Sequence, residues 1–196
     1  LRREVPGRPV VLVGHSLGGS VALHAAPLLG DQLRGMVQIA AGGGVYQPRT
    51  FAQVRWGGVA FLRWRPGWLA HLPGTAAIRG PLVADQRAAR GLLANSTNRG
   101  AVHQLPRLTS QLPVPSLWIA GGRDQVMECR YVRHLAGYSP MHQLELIEAA
   151  GHLPMCRMPR QVAALMDRWL EAELALSLPS AGACRQGIGD PLIGRG

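Results

Sequence analysis

Residues 10–20 read VVLVGHSLGGS, an apolar run that breaks into glycines around one serine. A serine hydroxyl is a poor nucleophile near neutral pH. It attacks a carbonyl only where a base takes its proton and donors receive the charge that forms. The spacing Gly14-His15-Ser16-Leu17-Gly18 suits such a role. If the apolar run is a strand and the residues after it a helix, Ser16 sits at a sharp corner. Residues two positions to either side must then be small for strand and helix to approach, and Gly14 and Gly18 meet that requirement. The corner holds the hydroxyl above the carboxyl ends of the strands, where open α/β sheets place their ligands. The helix begins at the same point, so free first-turn N–H groups face any negative charge there. The Leu17 N–H is the natural first donor to an oxyanion.

The serine needs a base, and the chain has seven histidines. His15 and His24 are local to the corner, where packing is the commoner role. His71 and His103 fall in a segment of different character, His134 lies within a helical stretch and His142 precedes a strand. His152 differs: it follows LELIEAAG in the turn leaving the last strand, on the same sheet edge as Ser16. A third group must orient the imidazole and stabilise its charged form. Asp124, in GGRDQV just past the strand SLWIA, holds a matching position, with Glu128 as the reserve. Asp31, Asp85 and Asp167 lie elsewhere along the pattern. Taken singly, Asp124 reads equally as a cap for the helix that follows and His152 as a solvated loop residue. Together they follow Ser16 in the order Ser, Asp, His, each just after a separate strand.

The elements that must position these residues are legible in outline. VVLVG (10–14) reads as a strand buried on both faces of a parallel sheet. LGGSVALHAAPLL (17–29) reads as a helix with Pro27 near its end. LRGMVQIAA (33–41) is a second buried strand closed by glycines. Residues 45–112 change character, with Trp56, Trp64 and Trp68, nine arginines and a single acid, Asp85. Helices are expected around 50–64 and 81–95, within an insertion rather than a sheet layer. The rhythm then resumes with a strand at 114–122, a helix at 127–137, a strand at 142–151 and an amphipathic helix at 159–176. Alternating strands and helices predict an α/β fold with a parallel sheet. The glycine- and proline-rich residues 177–196 read as a disordered tail. The organisation expected is therefore a core portion at 1–44, a helical cap at 45–112, the rest of the core at 113–176 and the tail.

Composition narrows the function classes. At 196 residues and 47% hydrophobic, the chain has material for one domain with a real core. All 21 basic residues are arginine and they are scattered, so the net charge of +10 does not outline a nucleic-acid-binding face. No run of about 18 apolar residues predicts a membrane span, and the N-terminus lacks the apolar core of a signal peptide. Cys129, Cys156 and Cys184 are widely spaced, giving neither a disulfide framework nor a zinc site. Reduced thiols in a cytoplasmic protein are the expectation.

In VVLVGHSLGG (10–19), IAGGRDQV (119–126) and AAGHLPM (149–155), the chain resembles the C-terminal two-thirds of an α/β-hydrolase of the cap-bearing esterase and lipase group. The resemblance covers about residues 8–176. It implies a Ser16–Asp124–His152 triad, an oxyanion donor at Leu17, an acyl-enzyme intermediate and a mobile cap at 45–112, with no metal or organic cofactor. A serine in the nucleophile position sets the chain apart from the haloalkane dehalogenases and epoxide hydrolases of this fold.

Such proteins place several strands before the elbow strand, and a loop among them supplies a second oxyanion donor. Only nine residues precede VVLVG here. The chain is therefore expected to be a fragment or a truncated product, with VVLVG as a bare apolar edge and activity reduced by about two to three orders of magnitude for the missing donor. The alternative is a non-catalytic remnant or scaffold. FAQVRWGGVAFLRWRPGWLA (51–70) suggests a lid over an apolar acyl or ester substrate, with weak membrane-surface contact as a second role and packing of cap on core as a third.

Overall fold

In the computed structural model, residues 7–42, 48–64, 87, 90–91 and 99–177 are described. β1 (Val10–His15) leads through the corner at Ser16 into α1 (Leu17–Leu29). One 3₁₀ turn then delivers the chain to β2 (Leu33–Ile39). α2 (Pro48–Trp64) and α3 (Arg99–Ser110) follow, then β3 (Ser116–Gly121), α4 (Cys129–Ala136), β4 (His142–Ile147), the single turn α5 (Pro154–Arg157) and α6 (Pro159–Ser177). The strands form one sheet in the order β1-β2-β3-β4, every pair parallel. Parallel neighbours require crossover connections, which brings the carboxyl ends of all four strands to one edge.

Both faces of the two middle strands are covered, and the residue pattern shows why. Met36, Trp118 and Ala120 face a core built with Leu23 and Leu29 of α1, Leu105 of α3 and Leu135 of α4. The alternate positions Val37, Ile39, Leu117 and Ile119 face Val162, Leu165 and Trp169 of α6. Successive strand residues point to opposite faces, so an unbroken apolar run is what a doubly covered strand demands. Trp169 fits beneath β2 because Gly35 has no side chain: a Cβ there would lie 2.7 Å from the indole ring.

Three sequence expectations change. Gly14 is the one buried residue of β1; the strand ends the described sheet, and Val13 is 52% exposed because α6 covers β2 and β3 instead. The doubly buried strand expected here is not found; among the described residues β1 pairs with β2 alone. Residues 99–112, expected to lie within an insertion, pack on the core. Val102, Leu105, Thr109 and Leu112 are buried, and α3 packs against α1 and α4 as part of the sheet's helical layer. Finally, Trp56 and Trp64 of α2 stand 74% and 80% exposed, so neither packs a cap onto the core. Trp68, His71, most of the helix expected at 81–95 and all but the first residue of the expected tail lie outside the described residues.

Candidate active site

The corner between β1 and α1 is tight, and glycine makes it so. A Cβ on Gly14 would stand 2.5 Å from the Gly19 Cα, and one on Gly19 would stand 2.2 Å from the Gln38 side-chain oxygen and 2.4 Å from the Ala41 Cβ. A Cβ on Gly18 would meet no described heavy atom within 4 Å. The close approach therefore depends on Gly14 and Gly19, not on the pair Gly14 and Gly18 that symmetry about Ser16 suggests. Gly14 sits under Gly19, the third residue of α1, so the packing partner is offset by one position from Gly18.

Ser16 itself has φ 53° and ψ −122°, a backbone conformation that residues other than glycine rarely adopt. Its backbone is clamped on both sides: the N–H donates to the Ile39 carbonyl at 3.0 Å, and the Ser16 carbonyl accepts from the Gly19 N–H at 3.0 Å. A serine before a helix ordinarily turns its hydroxyl back onto a first-turn amide. Ser16 makes no such bond, and its hydroxyl points instead to His152.

The loops that leave β1, β3 and β4 meet at this point. Ser16 Oγ lies 2.9 Å from His152 Nε2, and His152 Nδ1 lies 2.9 Å from Asp124 Oδ2. The Asp124 side chain is fully buried, whereas that of His152 keeps 24% exposure. The other carboxylate oxygen, Oδ1, accepts from the Val126 and Met127 N–H groups, each at 2.8 Å. These amides belong to the loop after β3. The cap position of α4 falls to Glu128, so Asp124 does not cap that helix. Glu128, the reserve for the acid, pairs with Arg130 at 2.7 Å. A carboxylate fixed on one oxygen by two backbone donors presents the other to the imidazole in one orientation, and Nδ1 must carry the proton to donate to it. Nε2 is then the accepting nitrogen, facing the serine hydroxyl.

The remaining described histidines serve other contacts. His24 Nε2 donates to the Ala101 carbonyl at 3.2 Å, joining α1 to α3, and His142 Nδ1 donates to the Ser139 carbonyl at 2.8 Å. His134 stacks edge-on against Tyr138, and His103 is exposed. His15 has a role that sequence does not reveal: its Nε2 lies 2.8 Å from the backbone carbonyl oxygen of His152. Burial holds the His15 pKa below its ordinary value, against the raising effect of that carbonyl. Gln38 is a second residue missed. Wholly buried in β2, it donates to the carbonyl of Gly19 at 3.2 Å and so braces the first turn of α1 from below. Its only mark in the sequence is an amide between Val37 and Ile39 in an otherwise apolar strand.

Among the described residues no group of three or more metal-binding side chains converges, and no helix is long and apolar enough to cross a membrane. The three hydrogen-bonded side chains can pass a proton from hydroxyl to imidazole while a buried carboxylate steadies the resulting cation. The Leu17 N–H opens α1 next to the hydroxyl, in the turn whose amides lack intrahelical acceptors.

Comparison with known proteins gives a consistent placement. The chain is 32% identical over 183 residues to a pimeloyl-[acyl-carrier protein] methyl ester esterase of Xanthomonas axonopodis pv. citri, covering 83% of this chain and 71% of that protein. It is 27% identical over 206 residues to a protein of the same name from Xylella fastidiosa, with the same coverage. Among solved structures, a thermophilic esterase from Thermogutta terrifontis matches with a TM-score of 0.60 at 23% identity, covering 84% of this chain and 65% of that one. A hydrolase from Pseudomonas aeruginosa matches with a TM-score of 0.61 at 21% identity, covering 86% and 67%. The chain thus spans about two thirds to seven tenths of these relatives, and the solved structures share its fold. The model described as the alpha/beta hydrolase family matches residues 1–165 of the 196, and the chain belongs to that family.

Proposed function

We propose that the chain is a serine hydrolase that cleaves an ester or related acyl bond, with Ser16 as nucleophile, His152 as base and acid, and Asp124 as the group that orients the imidazole. The observation that carries this reading is the continuous hydrogen-bonded path from the Asp124 carboxylate through His152 to the Ser16 hydroxyl.

In the first half-reaction His152 Nε2 takes the hydroxyl proton as Ser16 Oγ bonds to the carbonyl carbon. The carbonyl oxygen becomes an oxyanion facing the Leu17 N–H, and Asp124 stabilises the imidazolium. The same proton then passes from Nε2 to the leaving alkoxide, which departs as an alcohol and leaves Ser16 acylated. In the second half a water gives its proton to Nε2 and attacks the acyl carbon. Collapse of that adduct returns the proton to Ser16 Oγ and releases the acid.

Relatives named as esterases support an ester over an amide as the scissile bond, and the methyl ester of a carrier-linked acyl chain, named for the Xanthomonas protein, is the substrate class to test first. Leu153, 48% exposed beside His152, offers an apolar contact for such a chain. The test is hydrolysis of a series of methyl and p-nitrophenyl acyl esters. Ser16→Ala or His152→Ala is expected to lower kcat by about 10⁴- to 10⁶-fold and Asp124→Asn by about 10⁴-fold. Undiminished turnover by Ser16→Ala would contradict the proposal, and a folded wild-type protein without any turnover would favour a non-catalytic scaffold.

A further inference from the structure

His15 takes no part in the proton path, yet it contacts the base directly. The acceptor at 2.8 Å is the backbone carbonyl of His152, 137 residues away in sequence. A carbonyl oxygen carries no hydrogen, so the His15 ring must be protonated at Nε2 to make this bond. The two rings also lie against one another, with centroids 5.1 Å apart and planes inclined at 49°.

The loop that bears His152 is otherwise secured at its two ends. The Ala150 N–H donates to Ile147 and the Ala150 carbonyl accepts from the Arg123 N–H, while Leu153 already serves α5 by accepting from Cys156 and Arg157. Between them, among the described residues, the bond from His15 is the one that holds the backbone of His152. His15 is the last residue of β1 and the neighbour of Ser16. One end of the corner thus grips the side chain of His152, and the adjacent residue grips its main chain.

We infer that His15 is a positioning residue: it ties the backbone of His152 to the serine corner, so that the imidazole stays in line between Ser16 and Asp124. The inference rests on the hydrolase reading above for its effect on turnover, but its structural content is independent of it. Displacement of a reacting group by about 1 Å costs on the order of a hundredfold in rate, so a loop free to shift disturbs chemistry more than substrate binding.

The test compares His15→Phe, which keeps the ring and loses the donor, with His15→Gln, whose amide N–H has a similar reach. His15→Met serves as a second donor-free variant if the phenylalanine misfolds. Hydrogen–deuterium exchange of the peptide covering residues 148–158 is expected to quicken in the donor-free variants and to return toward wild type in His15→Gln. On an ester that the wild type hydrolyses, kcat is expected to fall about ten- to a hundredfold with KM little changed, and glutamine is expected to restore most of the loss. Wild-type exchange in the folded donor-free variants, or a glutamine variant as impaired as they are, would overturn the inference. Absence of wild-type turnover would count against the hydrolase reading alone, because the exchange comparison still decides the role of His15.

Discussion

Ser16 combines a strained backbone with a hydroxyl that makes no bond to its own helix, and the two are linked. At φ 53° the residue cannot fold its side chain back onto α1, so Oγ is delivered to His152. The clamps from Ile39 and Gly19 hold it there. Such a conformation costs about 1–3 kcal/mol in a residue with a Cβ and little in glycine. Ser16→Gly is therefore expected to be more stable than Ser16→Ala by about 1–3 kcal/mol, read as the difference in denaturation midpoints, while both lack the nucleophile. Equal stability of the two would show that the corner stores no strain. Of the residues at this scale, Ser16, Asp124 and His152 were legible because each follows a strand at the same sheet edge. His15 and Gln38 were not: their partners, the His152 carbonyl and the Gly19 carbonyl, are backbone atoms that no residue type announces.

The corner between β1 and α1 depends on which glycines the backbones meet. Gly14→Ala drives a methyl group into the Gly19 backbone, which cannot yield as a flexible side chain would, and is expected to destabilise by about 3 kcal/mol or more. Gly18→Ala projects into open space within the first turn of a helix, where alanine is favoured, and is expected to be neutral or stabilising by up to about 1 kcal/mol. Chemical denaturation of the two variants separates them, and a Gly18→Ala variant as unstable as Gly14→Ala would refute the assignment. Sequence symmetry about Ser16 pointed to Gly18 because a motif records spacing, whereas the clash depends on how the helix axis crosses the strand. The same distinction explains the other elements. Apolar runs and proline or glycine stops placed the four strands and α1 within a few residues. They could not show that α6 leaves Val13 of β1 uncovered, or that α3 joins the core after a segment rich in arginine and tryptophan. Both facts depend on which helix lies over which strand.

Across the whole molecule, three chain segments more than a hundred residues apart at their extremes meet because parallel strands place all their carboxyl ends together. The sheet order β1-β2-β3-β4 sets the Ser16 corner at one margin and the His152 loop at the other, with the Asp124 loop beyond β3 between them. The site thus draws on strands at both margins of the described sheet, and its geometry tests the folding of the whole rather than of any one motif. The exposed Val13 edge and the exposed tryptophans of α2 show where the described surface remains apolar. The central claim is that Ser16 is a nucleophile activated by His152. Its most direct measurement is labelling of the folded chain by a fluorophosphonate probe, followed by mass spectrometry of the peptide containing Ser16. Covalent labelling at Ser16, absent in Ser16→Ala and strongly slowed in His152→Ala, is the expected result; a folded protein that stays unlabelled, or labels equally without His152, would contradict it.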